Sequence, residues 1–176
     1  MRYSAQADES DLRSADQKSA DRRSEAAALK EPLEALVKEL GLALIELDVF
    51  RTKARKGTPS AVQVRAVVYK PGALGTDDCS RVHRAILPRL EQAFPESELS
   101  VEVSTPGINR VVKDGAELAH YRGRGVRLWR TDISDWSAGL LEAVDEQNIT
   151  IRGKEGTLRL DYALVAKARL DPSQEE

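Results

Sequence analysis

The chain has 176 residues, with 27 Lys and Arg against 29 Asp and Glu and a formal net charge of −2. No apolar run approaches the about 20 residues of a membrane helix, and the polar N-terminus argues against export, so a cytoplasmic protein of one large or two small domains is expected. One cysteine (Cys79) and two histidines (His83, His120) exclude an internal disulfide and any Cys- or His-rich metal centre, and the near-neutral balance speaks against a generic nucleic-acid binder.

Residues 1–24 carry five basic and five acidic residues without an apolar stripe, which predicts a solvated extension outside the fold. From about residue 26 a helix is signalled by Leu29, Leu33, Leu36, Val37 and Leu40 on one face, with Gly41 as its stop. Pro32 suggests that its well-formed part begins there. Ala43, Ile45, Leu47 and Val49 then alternate with Glu46 and Asp48, and Val62, Val64, Ala66 and Val68 repeat the period-2 pattern of a half-buried strand. Between them, residues 51–59 form a basic loop with four cations, read as a solvated hairpin tip ahead of a phosphate-contacting finger.

A second helix follows, with Thr76 or Asp77 as its cap and Cys79, Val82, Ile86, Leu90 and Phe94 on its buried face. Pro88 predicts a kink, or two abutting helices. Leu99, Val101 and Val103 mark a third strand. The order α-β-β-α-β implies a small sheet with both helices on one face, over residues 25–107.

Ser104, Thr105, Pro106 and Gly107 close this domain and form the domain-junction turn. A linker and a short helix starting at Asp114, with Leu118 and Tyr121 inward, open the second domain, residues 108–176. Short strands at roughly 125–130, 136–144, 147–153, 156–160 and 164–170 are separated by turn signals, the pattern of a small closed antiparallel β-barrel of Sm-like type. The fold class is therefore α+β in two domains.

The residues offer few tools for catalysis. Asp78, Cys79 and His83 share one stretch of helix, but a small buried thiol and capping carboxylates explain them better than a triad does. Gly72 and Gly75 form a GxxG, a pattern that clamps backbone phosphates in KH domains but is common in turns. Asp145 and Asn148 match the D-x-x-N end of an Sm signature and equally an Asx-rich turn. A stronger signal is charge: Arg110, Lys113, Arg122, Arg124, Arg127 and Arg130 fall within 21 residues holding only two acids, a local net charge of +4. Trp129 and Trp136 flank the turn after the first strand of the second domain, suiting base stacking, a protein hot spot or barrel packing alike.

Thr76-Asp77-Asp78-Cys79-Ser80-Arg81-Val82-His83-Arg84-Ala85, followed by Leu99-Ser100-Val101-Glu102-Val103-Ser104-Thr105-Pro106-Gly107-Ile108-Asn109-Arg110, resembles the bacterial ribosome maturation factor RimP family. Gly123 to Val144 and Ala166-Lys167-Ala168-Arg169-Leu170 look like the family's C-terminal barrel, so the likeness runs over roughly residues 26–172. Two features depart from it: Asn109 and Val111 flank Arg110 where the family usually has Asp and Pro, and Pro88 stands in a helix that is usually uninterrupted. The resemblance implies a non-catalytic assembly factor that binds the free small ribosomal subunit, meeting ribosomal RNA and a basic small-subunit ribosomal protein. On that reading Arg110, Arg122, Arg124 and Arg127 contribute to ribosome binding and Glu102 faces the basic protein. No cofactor, metal, membrane or small-molecule substrate is implied, and a monomer is expected. The rival reading is a stand-alone Sm-like RNA-binding module, with an enzyme a distant third.

Overall fold

A computed structural model describes residues 24–52, 60–72 and 74–175, so the basic loop beyond Thr52 and most of the N-terminal extension lie outside the described residues. The chain divides into two compact units between Thr105 and Pro106.

In the first unit, helix α1 (residues 24–39) leads into strand β1 (Ala43–Thr52), which pairs antiparallel with β2 (Ser60–Tyr69). Helix α2 (Thr76–Ala93) then crosses over to β3 (Ser97–Ser104), which lies parallel to β2 and leaves β2 in the centre of the sheet. A parallel pair cannot be joined by a hairpin, and α2 supplies the crossover. α1 ends as its sequence predicts. Gly41 sits at φ +78°, its N–H donates to the Lys38 carbonyl, and the Leu42 N–H reaches back to the Val37 carbonyl, the paired bonds of a glycine stop.

Register puts Leu44 with Val68, Leu47 with Ala66 and Val103, and Val49 with Val64 and Val101 on one face of the sheet. Leu33 and Val37 of α1 and Val82, Ile86 and Leu90 of α2 share a single cluster with that face, so both helices pack on it. Fully burying each such side chain contributes about 1.5–3 kcal/mol. The opposite face carries Asp48, Arg65 and Glu102 in one cross-strand row.

Three local expectations change, and at Pro88 one of two alternatives falls away. The strict alternation through Ile45 is broken: the register shifts between Leu44 and Glu46, Ile45 is the extra residue of a bulge, and Leu44 takes the core position. α1 is already helical at residue 24 and passes through Pro32, because the apolar stripe of Leu29, Leu33 and Val37 on both sides of the proline packs as one face. α2 likewise runs unbroken through Pro88, not as two abutting helices; Pro88 is solvent-exposed while Ile86 and Leu90 beside it are buried. The cap of α2 is Gly75, not Thr76 or Asp77, and Asp78 reaches back from the first turn to accept the Gly75 N–H at 3.1 Å.

The second unit runs β4 (Val111–Val112), α3 (Gly115–Ala119), β5 (Gly125–Arg130), β6 (Asp135–Val144), β7 (Asn148–Gly153), β8 (Gly156–Asp161) and β9 (Val165–Leu170). These strands make one antiparallel sheet in the order β4-β9-β5-β6-β7-β8. The expected closed barrel is not formed: among the described residues β8 and β9 do not pair. Val111 and Val112 occupy the edge of β9 at Ala168 and Arg169, the edge that β8 would need there. One face of the sheet buries Val126, Leu128, Leu141 and Ile151 together with Leu118 and Tyr121 from the α3 segment.

Candidate functional site

The residues after the junction turn become part of the second unit. Arg110 closes a turn through its N–H to the Gly107 carbonyl, and its own carbonyl accepts the Leu170 N–H. Its guanidinium turns inward. Arg110 Nε donates to Glu117 Oε1 at 2.5 Å, with the two side chains only 13% and 6% exposed. Glu117 is held in place by α3, whose N-cap Asp114 accepts the Glu117 N–H at 2.8 Å. The same carboxylate accepts the Lys113 N–H at 3.1 Å and the Tyr121 hydroxyl at 3.3 Å. Arg110 and Glu117 are therefore the centre of a buried network that ties the linker to α3.

The cations of the +4 segment turn to separate partners. Arg122 is exposed and donates to the Val144 carbonyl at 3.4 Å, and Arg124 pairs with Glu175 at 2.6 Å. Arg130 pairs with Asp132 at 2.5 Å; this bond raises the arginine's pKa and holds the Asp132 carboxyl below its usual range. Glu102 lies in the first unit, paired with Arg65 at 3.2 Å on the face of the sheet opposite α1 and α2. Ser104 and Pro106 are half-buried, and Thr105 and Gly107 are exposed.

Arg127 is different. It projects from β5 on the face opposite Val126 and Leu128, with its guanidinium 5.1 Å from the centre of the Trp136 ring. Pairing of β5 with β9 sets Arg169 directly opposite Arg127, and Lys167 opposite Trp129. Pairing with β6 sets Ala138 beside Arg127 and Trp136 beside Trp129. The result is two adjacent rows: Arg169, Arg127, Ala138, and then Lys167, Trp129, Trp136. The two indoles meet edge to face, with centroids 5.4 Å apart and planes at 72°. Arg127 Nε and Arg169 Nε are both buried without a hydrogen-bond partner. Among the described residues, no carboxylate pairs with Arg127, Lys167 or Arg169.

Nothing local in the sequence joins Lys167 and Arg169 to Arg127, because β9 is brought to β5 only by long-range pairing. The alternation Lys167-Ala168-Arg169-Leu170 is the available signal: every second residue is a cation, and Leu170 at the end of β9 is buried.

The other sequence candidates resolve into local structure. Asp78 takes Lys70 Nζ at 2.7 Å as well as the Gly75 N–H, and these bonds hold its pKa down. Burial, and then the Asp78 charge, push the Cys79 thiol up, away from the thiolate a nucleophile needs. Gly72 (φ +83°) and Gly75 shape the strand-to-helix turn, whose residue 73 is outside the described residues. Asp145 Oδ1 accepts the N–H groups of Gln147 and Asn148 at 2.9 and 2.7 Å and the Asn148 side-chain amide at 3.3 Å, an Asx turn, while Oδ2 faces Arg159 at 4.0 Å. No described helix is long and apolar enough to cross a membrane.

Residues 32–109 match the family model of the RimP N-terminal domain. The ribosome maturation factor RimP of Borrelia turicatae (strain 91E135) is 30% identical over 132 residues, covering 75% of this chain and 86% of that protein. Those of Borrelia recurrentis (strain A1) and Borrelia hermsii (strain HS1 / DAH) are 28% and 29% identical over 131 residues, each covering 74% of this chain and 85% of the relative. A match of 132 residues is longer than either unit, so it runs through both. The two-unit α+β chain, with its helix-backed sheet and its second sheet of antiparallel strands, belongs to the ribosome maturation factor RimP family.

Proposed function

We propose that this protein binds the free small ribosomal subunit and assists its late maturation without catalysing a reaction, as a cytoplasmic monomer. The observation that carries the reading is the match to relatives named ribosome maturation factors, which extends through both units. Charge supports the division of labour. Arg122, Arg124 and Arg127 of the second unit serve ribosomal RNA, and Arg110 serves by fixing the linker through Glu117. Glu102 stands in the row Asp48, Arg65, Glu102, two acids around one cation, and this face suits a basic small-subunit ribosomal protein. Ser104 to Gly107 is the joint between the two surfaces.

Gradient co-sedimentation of the full chain with ribosomal particles tests this. Association with free small subunits and absence from complete ribosomes is the expected result. The alternative, a stand-alone Sm-like RNA-binding module, draws on the strand succession β9-β5-β6-β7-β8. It predicts tight binding to short uridine-rich RNA with no preference for small subunits, and that outcome would reverse the ranking. The Asx turn at Asp145 weighs against it, since Asp145 Oδ1 and the Asn148 side-chain amide already bond within the turn.

A further inference from the structure

We infer that the outer face of β9-β5-β6 is a binding site for unpaired RNA, with bases stacking on Trp129 and Trp136 and phosphates held by Arg127, Lys167 and Arg169. The inference rests on the reading of this chain as a factor for ribosomal particles, and it names the surface and the form of RNA that reading leaves open.

Three features of the face point the same way. Two arginines stand directly opposite across an antiparallel ladder, where like charges repel, and no carboxylate answers either of them. A bound phosphate between them removes that repulsion and offers the planar guanidinium groups a matching acceptor. Their Nε atoms are covered while both residues stay part-exposed, so the side chains are held in position before any partner arrives. Beside the cations, both indoles are half-buried and keep part of their surface open, and Lys167 next to them is exposed.

Cations interleaved with aromatic side chains on a sheet are the means by which single strands are held: the backbone is tracked by charge and the bases stack on rings. A duplex hides its base faces, so this arrangement favours unpaired nucleotides. A protein partner would use the tryptophans as anchors but would have to bring carboxylates for three cations, whereas RNA supplies anions and flat rings together. Val111, half-exposed on β4 and directly opposite Arg169, extends the same row with an apolar side chain.

The test exploits the composition of the chain. Its two tryptophans both lie in this face, so emission under tryptophan-selective excitation reports on the site. The full chain is titrated with a short mixed-sequence single-stranded RNA and with the corresponding duplex. Saturable quenching by the single strand, several-fold weaker with the duplex, is expected. For three cations meeting phosphates on a single strand, log K falls against log salt with a slope of about −2. Lys167→Gln and Arg169→Gln should each flatten that slope by about 0.7. Trp136→Leu should weaken binding about fivefold or more. Lys167 is exposed, so Lys167→Gln leaves the fold alone and decides the matter if the tryptophan variant does not fold.

Absence of quenching, equal binding of duplex, or an unchanged salt slope in both charge variants overturns the inference. So does a face that takes an acidic protein and no RNA. Co-sedimentation of the same variants keeps the two readings apart. Normal association of the wild-type chain with small subunits, combined with no RNA binding at this face, removes the inference and leaves the proposed function standing. RNA binding at the face without any subunit association does the opposite.

Discussion

Removing the Glu117 carboxylate should destabilise the second unit more than any loss of surface charge. Glu117→Ala takes from Arg110, which is only 13% exposed, its 2.5 Å bond to a buried carboxylate, and removes the Glu117 oxygens that accept the Lys113 N–H and the Tyr121 hydroxyl. Breaking a buried ion pair by deleting one partner costs about 3–5 kcal/mol, and the residual exposure of Arg110 places this case near 3. Glu117→Gln keeps an acceptor for Lys113 and Tyr121 and loses only the charge, for a cost of about 1–2 kcal/mol. Replacing both partners by apolar residues, Arg110→Met with Glu117→Leu, removes the buried charge together with its counter-charge and should recover much of the loss. Urea unfolding followed by tryptophan emission reads the second unit alone, since Trp129 and Trp136 are the chain's two tryptophans. With a slope of about 1.5 kcal/mol/M, the Ala variant should lower the midpoint by about 2 M. The double-mutant cycle should give a coupling energy of about 2 kcal/mol, and a coupling within about 0.5 kcal/mol of zero would refute the network as the tie between linker and helix.

Two further outcomes follow from packing and titration. Gly139 of β6 lies so close to β7 that a Cβ there would stand 2.6 Å from the Arg152 carbonyl oxygen and 2.9 Å from the Gly153 nitrogen. Both are backbone atoms with no rotamer to yield, so Gly139→Ala should cost about 1–3 kcal/mol in urea or thermal unfolding; an unchanged midpoint would contradict the strand approach. Asp145 is held below the ordinary Asp value of 3.8 by the N–H groups of Gln147 and Asn148. A depressed carboxyl contributes its full stability above the unfolded pKa and loses it as pH falls through the lower folded one. Asp145→Ala should therefore lower the unfolding midpoint at about pH 6 and matter less towards about pH 2–3, and an equal effect at both would be inconsistent with the turn's charge-assisted bonds.

Much of the fold was legible in local periodicity. Val82, Ile86 and Leu90 recur at helical spacing and are buried as that spacing requires; Leu99, Val101 and Val103 alternate and pack against the same core. Asp114 was readable as a helix start, and its carboxylate does accept the Glu117 N–H. What local pattern cannot carry is a choice settled by packing. Pro32 reads as a helix start and Pro88 leaves a kink and two abutting helices open, yet each lies in one helix whose apolar stripe continues past it. The absence of a β8–β9 pair could not be foreseen from strand count either, because it depends on the two-residue strand Val111–Val112 occupying an edge. The charge cluster misled for a related reason. Six cations close in sequence sit on a linker, a turn and a strand, and three of them turn to Glu117, Glu175 and Asp132. The face that does collect unanswered charge draws Arg127 from inside the cluster and Lys167 and Arg169 from 40 or more positions further on.

The bulge at Ile45 has a consequence for how the length of β1 can vary. In an ordinary strand, deleting one residue turns every later side chain to the other face. Here Leu44 and Leu47 both face the helices only because an extra residue separates them, so a chain lacking Ile45 would run Leu44 in, Glu46 out, Leu47 in, with the rest of the strand unmoved. Such a chain loses the burial of one isoleucine and keeps its core. Deletion of one residue is thus tolerated at this point of the strand, and length differences between chains of this fold should collect there.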